Sequence, residues 1–288
     1  MSNYQLNESS TNKNIYYKHS GRIDPLGLLL IPLFGILGAA ILSIIYAYAT
    51  VYIPFVYLNF FITLGYGIII SKLVIFGVKT GKVRNLKLLL LLGTVIAIFA
   101  EYFNWVSWIF VYTKNQIFVT SPVQILEVLK IIAAEGAWSI KHYVVKGGVL
   151  YFVWFVEAVI IMGIIIYDSY NTVKSMPFCE KCNLWIKDKI TIPMLQPIIN
   201  INNFKSQLER KDYGDLLKLE KVDNNSSEYT IVELLSCPSC RQQHLLNIKS
   251  VNITTNSKGK KSENTNTIVE NLIISQDTYS LIRDLNKI

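Results

Sequence analysis

No aspartate, glutamate, lysine or arginine occurs between Pro25 and Ser71, and no cysteine occurs before Cys179. The first absence excludes a water-facing surface for that stretch, because a soluble domain carries about 25% charged residues spread along its length. The second excludes structural disulfides from the apolar segments and their connections. It leaves all four cysteines in one polar region, as suits a reducing cytoplasm. Histidine is scarce as well: His19, His142 and His244 are the three. None belongs to a His-Glu-x-x-His motif or a Ser-His-Asp grouping, and no glycine-rich phosphate loop is present. Only Glu101, Glu157 and His142 could approach one another as a catalytic set, so an enzyme is the weakest of the functional readings. The first twenty residues are polar and lack the short apolar core and small-residue site of a cleaved signal. The first apolar segment is therefore expected to stay attached as an anchor.

What the chain has in excess is apolar residues. Of its 288 residues 51% are hydrophobic and 17% charged, and the mean hydropathy is +0.35, so a lipid bilayer is the solvent that fits. A spanning helix needs about 20 apolar residues, and four segments qualify, at 26–49, 55–78, 86–112 and 148–168. The first two are separated by β-branched residues and Pro54, which is suited to the first turn of the second helix because its missing N–H is not needed there. The connection Lys79 to Lys87 carries Lys79, Lys82, Arg84 and Lys87 and no acidic residue. By the positive-inside rule it faces the cytoplasm. The N-terminus, with Lys13, Lys18 and Arg22, then lies on the same side, as does everything beyond the fourth helix, where Lys174, Lys181, Lys187 and Lys189 follow. The net charge of +8 is accounted for by these basic flanks without nucleic acid. Tyr46, Tyr48, Tyr52, Tyr57, Tyr102, Trp105, Trp108, Tyr112, Tyr143 and Tyr151 fall near the outer boundary, as an aromatic belt would. Lys72, inside an apolar run, lies one to two turns from the inner end and can snorkel.

The outer loop 113–147 is too long for a turn. Ser121 reads as an N-cap followed by Pro122, and Gln124, Glu127, Lys130 and Glu135 recur among Val, Ile, Leu and Ala. This predicts an amphipathic helix at about 122–134 on the outer membrane face.

Two carboxylates stand at membrane depth, Glu101 and Glu157, where a charge costs roughly 2.5–3.5 kcal/mol on insertion scales. At 1.5 Å per residue, Glu101 lies about 22 Å from the inner end of its helix and Glu157 about 14 Å from the outer end of its own. They can face one another. Asn104 shares the face of Glu101, Asn59 and Thr63 share one of the second helix, and Ser43 one of the first, so the six form a candidate intramembrane polar cluster. Such stripes serve close helix packing, or, alternatively, line a chamber for an ion, a proton or a small ligand. As a transporter or channel, four helices would require a homo-oligomer.

After about residue 172 the chain turns polar. Cys179/Cys182 and Cys237/Cys240 are two Cys-x-x-Cys pairs, each able to sit on a tight turn and together able to supply four thiolates to one tetrahedral zinc ion. Residues 183–236 between them number 54, longer than the usual 15–20. The ribbon therefore carries an insertion, and 202–221 reads as one or two short helices within it. Leu184 to Ile186 reads as a strand-like stretch, 229–236 as a strand, 245–274 as two strands about a turn at 256–264, and 277–288 as a terminal helix. With four sulfur ligands the ion has no open position and is structural; His244 is read as exposed or strand-facing, not as a fifth ligand.

The chain thus divides into a polar cytoplasmic segment, 1–24, an all-α four-helix transmembrane domain, 25–170, with both termini inside, and a small cytoplasmic α+β zinc-ribbon-like domain, 171–288. The expected partners are the bilayer and a cytoplasmic protein. Zinc ribbons also bind nucleic acid, but Trp185 is the one tryptophan of this region and no aromatic-basic stripe accompanies it. The Asn- and Ile-rich, Lys-over-Arg composition suggests a bacterial inner membrane.

Overall fold

The computed structural model describes residues 15–53, 56–140, 143–223, 226–255 and 260–284. Pro54, His142, the centre of the turn at 256–259 and the last four positions of the expected terminal helix lie outside them. The chain forms two compact units, His19–Lys174 on the one hand and Met1–Lys18 with Ser175–Ile288 on the other.

The first unit contains α1 (Pro25–Tyr52), α2 (Val56–Thr80), α3 (Leu86–Tyr112), α4 (Pro122–Glu135) and α5 (Gly147–Ser175), with a short hairpin of β1 (Trp138–Ile140) and β2 (Tyr143–Val145) between the last two helices. Four of these helices, all but α4, are long and apolar enough to cross a membrane. Their starts are fixed locally. Asp24 accepts from the Leu26 N–H and Pro25 opens α1; Asn85 accepts from the Leu88 N–H and donates from its amide to the Gly21 carbonyl. Pro122 opens α4, but Ser121 caps it through its carbonyl, which accepts from Ile125, and not through its hydroxyl.

The interior of this unit combines buried isoleucines and leucines, among them Ile70, Leu89, Ile96, Ile109, Ile161 and Ile165, with stripes of small residues. On α1 the buried positions are Gly27, Ile31, Gly35, Ala39, Ser43, Tyr46 and Ala47, while Leu29, Leu37, Ile41 and Ile45 point outward. The buried stripe follows the four-residue spacing that brings side chains onto one helix face. Helices pack this way when the surroundings are as apolar as leucine, so that close backbone contact holds the bundle together. A Cβ on Gly77 would lie 2.9 Å from the Ile31 Cα and 2.9 Å from the Leu30 carbonyl, and Gly27 and Gly81 touch backbone to backbone.

Three departures from the sequence reading stand out here. Helix α5 runs on past residue 168 through Ser175, and Lys72 is not simply snorkelling. Its Nζ lies 2.8 Å from Oδ2 of Asp168, which also accepts from Ser71 at 2.7 Å. The hairpin β1–β2, paired Trp138 to Val145, adds a strand element to a region expected to be all-α.

In the second unit a two-stranded hairpin, β3 (Phe178–Cys179) with β4 (Leu184–Trp185), precedes β5 (Lys189–Leu195), α6 (Ile201–Glu209), α7 (Gly214–Leu217), β6 (Glu228–Ser236), β7 (His244–Thr255), β8 (Lys261–Ile274) and α8 (Gln276–Asp284). The four long strands make one antiparallel sheet in the order β5-β6-β7-β8. Alternation along β6 sends Val232 and Leu234 to one face, where Ile192, Phe204, Leu208, Leu216, Leu246, Leu272 and Ile282 form the main core under α6, α7 and α8. It sends Leu235 to the other face, against the cysteines. Strand β5 was not anticipated. Pro193 interrupts its pattern, which is tolerated because β5 is an edge strand with a register shift between Ile192 and Leu195.

The N-terminal segment is not a separate piece either. Tyr16 bridges to Leu272, the Tyr17 N–H donates to the Asn271 carbonyl at 2.9 Å, and the Ile273 N–H donates to the Ile15 carbonyl at 2.9 Å. The Tyr16 hydroxyl donates to Glu209 at 2.8 Å, and burial followed by that carboxylate raises its pKa. Residues 15–17 thereby extend the sheet beyond β8.

Candidate metal centre

Cys179 closes β3 and Cys182 lies in the turn to β4, where Asn183 takes a φ of +54°. Cys237 follows β6, and Cys240 lies in the turn to β7, where Arg241 takes a φ of +51°. The second turn is tied by two backbone hydrogen bonds, Arg241 N–H to the Cys237 carbonyl and Cys237 N–H to the Gln243 carbonyl, both at 3.1 Å. Register holds each turn in place: Cys179 opposes Leu184, and Ser236 opposes His244. Lys181 of the first turn donates to Gln242 of the second at 2.8 Å.

The four sulfurs all lie within 4.8 Å of one another, with Cys179 and Cys240 at 3.7 Å. A tetrahedral ion with metal–sulfur bonds of about 2.3 Å sets its ligands about 3.8 Å apart. The four therefore surround a volume of the right size for one metal ion, and all are free thiols, not disulfides. Cys179 and Cys237 are buried, and Ile186, Leu235, Leu245 and Tyr17 pack around the group. Tyr17 also accepts the Phe178 N–H at 3.0 Å, which pins the first turn. Burial pushes the Cys179 thiol up to about 12, so its thiolate requires a compensating positive charge; the Gln242 backbone N–H draws Cys240 down to about 7. Four thiolates and no oxygen ligand form a soft donor set, the kind that selects zinc or iron over magnesium or calcium.

His244 is not exposed. It is only 2% exposed, its ring centroid lies 4.5 Å from that of Tyr279, and neither ring nitrogen has a partner among the described residues. It is a strand residue turned into the domain interior, and it does not join the sulfur cluster.

In the other unit the candidate polar residues fall into two groups. Ser43 donates to the Ala40 carbonyl and meets the Ser107 hydroxyl at 2.8 Å. Thr63 donates to the Asn59 carbonyl at 2.9 Å and meets the Tyr46 hydroxyl at 3.1 Å. The Asn104 carboxamide lies against both Tyr46 and Glu101, and Glu157 acts electrostatically on both. Glu101 and Asn104, three positions apart on α3, share a helix face. Tyr66, on the matching face of α2, is buried, and so is Tyr46, which the sequence puts at belt height and also on the packing face of α1 with Gly35, Ala39 and Ser43. Its spacing of three from Ser43 and seven from Ala39 is the signal that places it inside. Trp105, Trp108 and Trp154 are likewise not a simple belt but an edge-to-face cluster beneath α4, with ring centroids 5.1–6.1 Å apart.

No protein-family model matches the chain, and neither a curated protein nor a solved structure matches it. What the chain does is argued from its own residues.

Proposed function

We propose that this chain is a multi-pass membrane protein that displays, on the cytoplasmic side, a module folded around one structural zinc ion, and that the module binds a cytoplasmic protein. The observation that carries this reading is the four-sulfur cluster, with every sulfur within 4.8 Å of the others. Cys179, Cys182, Cys237 and Cys240 would hold the ion. A fully thiolate-ligated zinc supplies cross-linking and no open coordination position, so it organises the fold and activates no water. The cluster joins the β3–β4 turn to the β6–β7 turn.

The orientation rests on the basic connection 79–87. That both ends share one side is supported separately by the pairing of residues 15–17 with β8, as an even number of spans requires. Sulfur ligands on the reducing side agree. Two compact units, no catalytic grouping among the described residues and a closed metal site favour recognition over chemistry.

The deciding experiment is elemental analysis of the full chain purified from the membrane without added metal, together with labelling of intact cells. About one zinc per chain is expected, lost in a Cys179→Ser, Cys237→Ser double variant. A membrane-impermeant maleimide is expected to label Cys182 and Cys240 only after the cells are opened and the metal is chelated. A purified protein that retains its tail fold with no bound metal would overturn the metal reading, and labelling from outside would overturn the orientation. The partner is sought by photocrosslinking from the exposed positions Leu184 and Arg241. Loss of the crosslink on chelation supports the module as the recognition element, and a crosslink unaffected by chelation contradicts it.

A further inference from the structure

The polar neighbourhood of Glu101 is short of hydrogen-bond donors. The Thr63 hydroxyl proton is directed to the Asn59 carbonyl, so the Tyr46 hydroxyl must donate to Thr63 Oγ1. The Tyr66 hydroxyl donates to the Ala100 carbonyl at 3.0 Å. Ser43 donates to the Ala40 carbonyl, so Ser107 donates to Ser43. Every one of these hydroxyl protons is spent on an oxygen outside the carboxyls. The Asn104 amide group lies against Tyr46 and Glu101, and the atom it leaves over is its oxygen.

Three buried acceptors then remain with no donor among the described residues: Glu101 Oε1, Asn104 Oδ1 and Asn59 Oδ1. Asn104 is only 7% exposed, so water does not reach its side chain freely. The ionisable groups that face Glu101 are Tyr46 from α1, Tyr66 from α2 and Glu157 from α5. All are neutral or acidic. Lys72, on α2, is engaged by Asp168. Buried polar groups are nearly always satisfied, and a carboxylate accepts but cannot donate. A group of oxygens that lacks both donors and positive charge is completed by a cation.

We propose that the Glu101 carboxyl and the Asn104 carboxamide oxygen hold one hard cation, a proton or a sodium ion, within the helical bundle. The site stands on the α1–α2–α3 helices and is independent of the sulfur cluster, so chelation of the tail metal does not abolish it.

The test uses the full chain in lipid nanodiscs and a hydrophobic carbodiimide, which adds to protonated carboxyls and not to carboxylates. Labelling at neutral pH is read by mass spectrometry, first in choline chloride and then in sodium chloride. The adduct is expected on Glu101 in choline chloride. Protection by sodium identifies sodium as the competing occupant, and unchanged labelling identifies the proton; either result supports one cation at these oxygens. Infrared difference spectra between acidic and alkaline buffer supply a second readout, in which a protonated-carboxyl band present in the wild type is expected to be missing in Glu101→Gln. That variant is isosteric, and the carbodiimide measurement needs no variant at all. Absence of any adduct on Glu101 in either salt, with spectra identical in the wild type and Glu101→Gln, overturns the proposal.

Discussion

The inward face of α1 and the core of the sheet bury different kinds of residue, although both units also bury isoleucine, leucine and valine. In 19–174 the inside of α1 is glycine, alanine, serine and tyrosine and its outside is leucine and isoleucine; in the sheet unit Val232, Leu234, Leu246 and Ile248 are wholly inside and the strand positions 261–267 are polar and exposed. The difference shows that what makes an interior is contrast with the solvent and not oiliness as such. Water drives large apolar side chains together at about 25 cal/mol per Å² buried. Lipid offers no such force, so the other unit is held by close backbone approach and by hydroxyls that satisfy carbonyls.

The comparison is broken most severely at the sulfurs. Binding of a structural zinc is worth about 10–16 kcal/mol, comparable to the whole stability of a typical domain at about 5–15 kcal/mol. Cys237→Ser, or chelation, is therefore expected to abolish hydrogen-exchange protection in β5 to β8 while α1 to α3 stay protected. Loss of protection in both units together would show that they are not energetically separate.

Next in size are paired truncations. Leu234→Ala, in the sheet core, is expected to cost about 2–5 kcal/mol. Leu91→Ala, on an outward face of α3, is expected to change folding stability little. Denaturant titration of the tail and detergent unfolding of the bundle measure the two, and equal costs would erase the distinction drawn above.

Smaller again is Gly77→Leu. The added side chain must displace the α1 backbone at Ile31, and overpacking of this kind costs about 1–3 kcal/mol. It is expected to lower the bundle's unfolding midpoint and leave tail protection unaltered.

The smallest effect concerns Glu233, a buried carboxylate that meets Lys189 at 2.7 Å and Lys249 at 3.0 Å. Burial raises its pKa, but the two lysines outweigh burial and hold it below the ordinary glutamate value of 4.5. A depressed folded pKa contributes stability above about 4.5, and that contribution fades as pH falls through the lower folded value. With both lysines partly in water the contribution is about 1 kcal/mol or less. Glu233→Gln is expected to flatten the acid limb of tail stability and leave the alkaline limb unchanged.

Sequence periodicity showed the four apolar helices because each is a long local run, and the Cys-x-x-Cys spacing pointed to the sulfur cluster because two tight turns need no knowledge of the rest. The remaining features are set by distant partners. Nothing within β5 announces a strand that carries Pro193 and takes its register from β6. Nothing in Ile15–Tyr17 reveals that β8 awaits it. Tyr46 is ambiguous by position, since a tyrosine near a helix end suits the lipid boundary as well as the interior; only packing with Thr63 and Tyr66 decides. His244 looked like a residue that could stay in water, and the stacking partner that removes it, Tyr279, comes 35 positions later.

The pairing of Tyr16 with Leu272 sets an order of events during synthesis. The two positions are 272 − 16 = 256 residues apart, so at about 5–20 residues per second the ribosome needs on the order of tens of seconds to supply the second after the first. Residues 15–17 can therefore join β8 only after the four membrane-crossing helices have been synthesised. A bulky tag fused next to residue 15 is expected to weaken that pairing, which hydrogen exchange at β8 would read.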